Sequence, residues 1–176
     1  MFGRKRHERA GFALYTASVQ VARNPYFYSE LGVPDTMDGR FDMIGLYACL
    51  VIDRLRAEPS PGPELAQAVF DAMFSDMDHT LRELGVGDMS VGRKVRAMWE
   101  ALHGRSEAYA APLAAGDEPA LAEALGRNVW RGTGPGRAAE LLAGIVMRER
   151  DNLFAQAVPA LLAGRVTFLS PERVAA

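Results

Sequence analysis

The chain has a single cysteine, Cys49, in 176 residues. That excludes an intrachain disulfide and a multi-cysteine zinc site. No apolar run approaches the roughly 18 residues that a bilayer-spanning helix needs. The opening MFGRKRHERAGF is basic, yet it has no continuous apolar stretch and no small-residue cleavage site, so it does not read as a secretory signal. An excess of one charge is missing too: 20 Lys and Arg stand against 22 Asp and Glu. Attraction of the whole protein to nucleic acid is therefore disfavoured, and a charge-driven partner must be met by a local patch. Strand-like alternation is scarce and no solenoid repeat is found. A soluble intracellular protein is expected.

What is present points to helices. Hydrophobic residues make up 49% of the chain, enough for one domain to bury roughly two-thirds of its unfolded surface. The stretch from Glu64 to Arg105 carries the strongest pattern. Leu65, Val69, Met73, Met77 and Leu81 recur every four residues, with Phe70, Phe74 and Leu84 on adjoining rows. That is the broad apolar stripe of a core-facing helix. Gly85 stands where a helix stops in the left-handed conformation, and Asp88 offers a cap for the next helix. That second arm is read with Val91, Val95, Met98, Trp99 and Leu102 inward and Arg93, Lys94, Arg96 and Arg105 outward. The result is a helical hairpin, acidic on its first arm and basic on its second.

Upstream, Phe41 to Ile52 is apolar almost all round, which predicts a central buried helix with an inert Cys49. Residues 1–10 are read as a basic, disordered tail, and 11–176 as one helical domain. Phe12, Tyr15, Val19 and Ala22 give a helical period, and Asn24-Pro25 starts a short aromatic helix. Pro59, Pro61 and Pro63 make a stiff connection before the hairpin. Pro112 is expected to kink or end the second arm. Asp117 caps a further helix, Gly132 to Gly136 is a loop, and Arg137 to about Val158 is the last long helix. The fold class is all-α: a compact domain of about six to eight helices around the central helix and the hairpin.

Chemistry-bearing patterns are weak. The glycine-rich stretches at 85–87 and 132–136 lack the strand–turn–helix context of a phosphate loop. Asp76 with His79, and Glu100 with His103, sit three apart on helix faces, but the further carboxylates of a di-metal bundle are not evident. No HExxH and no Gly-x-Ser-x-Gly frame occurs. No metal, no cofactor and no catalytic residue is expected. The methionines are more suggestive, since flexible thioethers suit both awkward core gaps and surfaces that receive varied apolar partners.

The run LYTASVQVARNPYFYSELGVPDTMDGRFDMIGLYACLVIDRLRAE, followed by QAVFDAMFSDMDHTLRELGVGDMSVGRKVRAMWEALHGRSEAYAAPL, resembles the ubiquinol–cytochrome c chaperone family. Phe70-Asp71 through Met77-Asp78 and Leu81 through Asp88 carry the resemblance most distinctly, within a match over about residues 12–131. It implies an all-α, non-enzymatic chaperone or assembly factor for a respiratory membrane subunit, with cytochrome b of the bc1 complex as its client. The mitochondrial members act near the ribosomal exit with a small partner protein; a partner subunit for this chain is unknown. The implied location is cytoplasmic or peripheral at the inner membrane. An apolar client surface is expected beside the hairpin, at Phe70, Phe74, Met77, Met89 and Trp99. Arg93, Lys94 and Arg96 are expected to contact the ribosome, an anionic membrane or the client's polar ends. The alternative open to the sequence is that the last long helix covers this row, or that a small helical enzyme or ligand-binding protein has its site between helices.

Overall fold

A computed structural model describes residues 2–132 and 136–175, with side chains from residue 5 onward. Met1, Ala176 and residues 133–135, the middle of the expected glycine-rich loop, lie outside the described residues. The described residues form nine helices and no strand: α1 (Phe2–Ala22), α2 (Pro25–Ser29), α3 (Met37–Arg56), α4 (Gly62–Glu83), α5 (Asp88–Ala115), α6 (Glu118–Val129), α7 (Gly136–Ala155), α8 (Val158–Leu162) and α9 (Pro171–Ala175). The count passes the expected six to eight because α8 and α9 are single turns.

The uniformly apolar segment is indeed the centre. Thr36 starts α3 by accepting the Gly39 N–H at 3.1 Å through its hydroxyl, as N-cap residues do. Phe41 through Ala48 and Leu50 through Ile52 are buried on every face of the helix. Helices α1, α4, α5, α6 and α7 all pack on it. Helix α4 buries the predicted stripe, Leu65, Val69, Met73, Met77 and Leu81, mainly against α1 and α3. Gly85, at φ 79°, then turns the chain in the left-handed conformation that only glycine adopts without strain.

Three local readings are corrected. Residues 2–10, expected as a disordered tail, are the first turns of α1, whose Ala10 is buried. Asp88 does not cap α5: Gly87 occupies the N-cap position, and Asp88 pairs with Arg82 across the hairpin turn. Pro112 neither ends nor breaks α5, which runs on to Ala115 and stops at the left-handed Gly116. Pro112 sits in the last turn, so only one hydrogen bond near an already fraying end is lost.

Buried polar groups stitch the helices together. Arg54 donates to the Leu153 carbonyl at 3.0 Å and to Glu58 at 2.5 Å, which ties α3 to α7. Glu149, fully buried, accepts from Asn152 at 2.7 Å and from the Leu169 N–H at 2.9 Å, which holds the extended segment after α8. Burial pushes its carboxyl up, and those two donors pull it partly back. Asp42 of α3 lies between Arg105 of α5 and Arg131, the latter at 2.8 Å.

Candidate functional site

The sequence points to the α4–α5 hairpin, and the two arms differ sharply in burial. Seven of the 22 residues of α4 are buried, against four of 28 in α5: Val91, Leu102, Tyr109 and Leu113. Arg105, Tyr109 and Leu113 fix the second half of α5. The first half, Asp88 to Trp99, buries only Val91, apart from the main core. Its hold on the rest is thin, because buried apolar contact is what resists local opening.

Two clefts lie at the middle of α5, between residues 98 and 106. The first, about 450 Å³, has an apolar floor of Phe41, Ile44, Met77, Leu81 and Met98, with Met37 and Leu84 at its edge. Arg23, Asp35, Arg40 and Asp76 make the rim. Asp35 and Arg40 pair at 2.6 Å, and Asp76 accepts the Tyr15 hydroxyl at 2.6 Å. Burial, and then that bond to a carboxylate, push the Tyr15 phenol up.

The second cleft, about 350 Å³, lies between Cys49 and Ile52 of α3, Phe70 of α4, and Trp99, Leu102, His103 and Ser106 of α5, with Asp53, Arg56 and Gln67 as further polar lining. Leu102 fits over Gly45: a Cβ at position 45 would lie 2.6 Å from Leu102 Cδ1, so the absent side chain lets α5 approach α3. Cys49 is partly exposed to the cleft, yet surrounding atoms desolvate its thiol. That burial pushes it up to about 11, against a smaller opposing effect of the Ser106 hydroxyl.

The expected site residues divide among these features. Phe70 and Phe74 are half-buried, their rings 4.6 Å apart, and Phe70 opens on the second cleft. Met77 belongs to the buried stripe, not to an open row; it is four residues from Met73 and contributes to the first cleft floor. Trp99, read as inward, is 41% exposed and stacks on His103 at 5.3 Å beside the second cleft. Met89 is 96% exposed, and its spacing puts it on one solvent face with Arg93 and Arg96. Arg96 pairs with Glu100 at 3.0 Å; Arg93 and Lys94 are exposed. The principal helix contacts of α4 are with α1, α3 and α5, whereas α7 packs chiefly on α6, α9 and α3, so the last long helix is not what covers the phenylalanine row.

Sequence reasoning missed Met37, Phe41, Ile44 and Leu84 as cleft residues. The signal available was Thr36, whose capping starts α3 at Met37 instead of Phe41. The histidine pairs considered as ligands are spent locally. His79 faces Glu83 at 3.1 Å and His103 faces Glu107 at 3.4 Å, both exposed. Among the described residues no group of three or more His, Cys, Asp or Glu converges, and no helix is long and apolar enough to cross a membrane.

Residues 29–168 match the family described as ubiquinol-cytochrome C chaperone. The ubiquinol-cytochrome-c reductase complex assembly factor 1 of Xenopus laevis is 23% identical over 120 residues, which cover 68% of this chain. The matched part spans 60% of that relative's length. The crystal structure of the Cbp3 homolog from Brucella abortus has the same fold, with a TM-score of 0.86 and 36% identity over 96% of this chain and 93% of that one. The match runs from the end of α2 to the extended segment after α8, and the whole helical arrangement recurs in the Brucella structure: the chain belongs to the ubiquinol-cytochrome C chaperone family.

Proposed function

We propose that the protein is a non-enzymatic assembly factor that shields apolar segments of a respiratory membrane subunit, cytochrome b of the bc1 complex, until they are packed. The observation that carries this reading is the pair of clefts at the middle of α5, the first with an apolar floor and the second with apolar walls and a polar edge, next to the weakly held first half of that helix. Clefts of this size and lining accept side chains of a client helix, and thioethers at Met37, Met77 and Met98 can repack around different ones. Trp99 and Phe70 offer aromatic surface at the second cleft. Met89, Arg93 and Arg96 extend the surface outward, and with Lys94 they meet the client's polar ends, the ribosome or an anionic membrane. The protein then works in the cytoplasm and at the periphery of the inner membrane.

Photo-crosslinkers at positions 37, 70, 89 and 99 test the reading in the native cell. The expected result is capture of nascent cytochrome b from both clefts. Efficient crosslinks to soluble proteins only, with no cytochrome b from any position, would overturn it.

A further inference from the structure

We propose that the solvent face of the first half of α1, together with the turn of α8, docks the protein on an anionic lipid bilayer. Lys5, Arg9, Phe12 and Thr16 follow one line along α1 by their spacing. They stand opposite Leu14 and Ser18, which are buried. Phe12 is 61% exposed, more than Trp99 or Phe154, and by its spacing stands next to Arg9 on one side and Glu8 on the other.

The flank toward Arg6 and Ala13 is completed by the segment after α7. A Cβ at Gly164 would come within 3.0 Å of Ala10 Cα and 3.2 Å of Ala13 Cβ. The exposed Arg165 therefore emerges beside this face. Residues 157–164, AVPALLAG, carry no charge, and Ala157, Pro159 and Ala163 are exposed. Among the described residues none of Lys5, Arg6, Arg9 and Arg165 takes part in a salt bridge. Glu8, three residues from Lys5 and four from Phe12, is exposed at the edge of this face toward α4, where Gly11 meets Ala68, and offsets one of its charges.

Four cations against one acid, along and beside a face that carries an exposed phenylalanine and an uncharged turn, fit the headgroup–acyl boundary, where charge meets anionic lipid and the ring leaves water. Cations alone would serve a polyanion; the apolar surface beside them favours lipid. The face is separate from both clefts, which lie among α3, α4 and α5, so docking leaves them open. The inference does not depend on the identity of the client.

Flotation of the purified, untagged chain with two kinds of vesicle tests it: phosphatidylcholine with about one-third phosphatidylglycerol, and phosphatidylcholine alone. Binding to the anionic vesicles only, weakening as salt rises, is expected. The K5Q/R6Q/R9Q/R165Q variant should lose at least about a hundredfold in partitioning, from about fivefold per cation. F12S should lose about tenfold and keep the salt dependence. All these positions are exposed, so unchanged melting is the fold control, and F12S alone decides if the fourfold variant fails to fold. Equal binding to neutral vesicles would overturn the proposal. So would loss of lipid binding in R93Q/K94Q/R96Q with none in the α1 variants, which would place the lipid contact on α5. Loss of ribosome pelleting by the α1 variants with no vesicle binding by the parent would make the face a ribosome contact.

Discussion

Cys49 gives a single-atom test of the second cleft. Burial holds its thiol up to about 11, against about 8.5 for a free cysteine. At pH 7.5 the thiolate fraction falls from roughly one in ten to roughly one in three thousand, a loss of about 300-fold. A more basic thiolate is a better nucleophile, which returns about one decade. Reaction with iodoacetamide should therefore run about 20- to 30-fold slower than with the cysteine of an unstructured, end-blocked peptide at that pH. Partial exposure leaves the reagent a path in, so acidity and not access sets the rate. The rate should climb about tenfold per pH unit, without a plateau until about pH 11. Stability must follow the same window. The folded thiol ionises later than the unfolded one, so its contribution is complete below about pH 8.5 and is lost as the pH rises toward 11. C49A should remove that part of the alkaline fall in melting temperature. A native-protein rate within about threefold of the free thiol at pH 7.5, levelling near pH 9, would refute a desolvated Cys49.

Asp42→Ala should cost about 2–4 kcal/mol by urea denaturation, because it strands Arg105 at an 18% exposed site; the figure lies below that of a fully buried pair because Arg131, 46% exposed, can return to water. A melting temperature lowered by about 5–10 °C is the matching thermal result. Amide hydrogen exchange should be fast over 88–101 of α5 and slow over 41–52 of α3, as buried contact dictates; equal protection would contradict the weak hold on α5. R93Q/K94Q/R96Q should change stability by under about 0.5 kcal/mol and weaken ribosome or client association most at low salt, as pelleting at graded ionic strength would read.

The parts of this fold that could be read from the sequence are those where local pattern leaves one physical outcome. A run that is apolar on all faces can only be buried, so α3 was legible from Phe41 to Ile52. The four-residue recurrence from Leu65 to Leu81 marks the buried side of α4, and Met77 obeys that recurrence in preference to the neighbouring Phe70–Phe74 row. Helix α5 defeated the same reasoning. Val95, Met98 and Trp99 are apolar, but α5 has too little neighbour to bury them all, and pattern does not reveal how much neighbour a helix will have. The bonds of Asp42 join residues 63 and 89 positions apart and leave no local signature. The clefts are of the same kind: their walls come from three helices whose spacing depends on Gly45 admitting Leu102.

A helix of 28 residues with four buried side chains keeps its shape largely by its own means. Arg96 with Glu100 and His103 with Glu107 are exposed pairs four residues apart, worth only a few tenths of a kcal/mol each. The second half is clamped at Arg105, Tyr109 and Leu113, while upstream of Gly104 the helix is held to the core by Leu102 over Gly45, which an outward tilt must lift. Any tilt of the first half must be absorbed where these regimes meet, and Gly104 lies there, exposed, with no heavy atom within 4 Å of a Cβ added to it. Tilting would widen both clefts at once, since Met98 walls the first and Trp99 and Leu102 the second. Gly104→Ala separates stability from this motion. It adds no clash and favours the helix by about 1 kcal/mol, so the melting temperature should rise by about 2–4 °C. Client capture by crosslinkers at positions 37 and 70 should nevertheless fall, because the stiffened rod keeps both clefts narrow. A variant that is more stable and captures its client as well as the parent would show that α5 receives the client without tilting at Gly104.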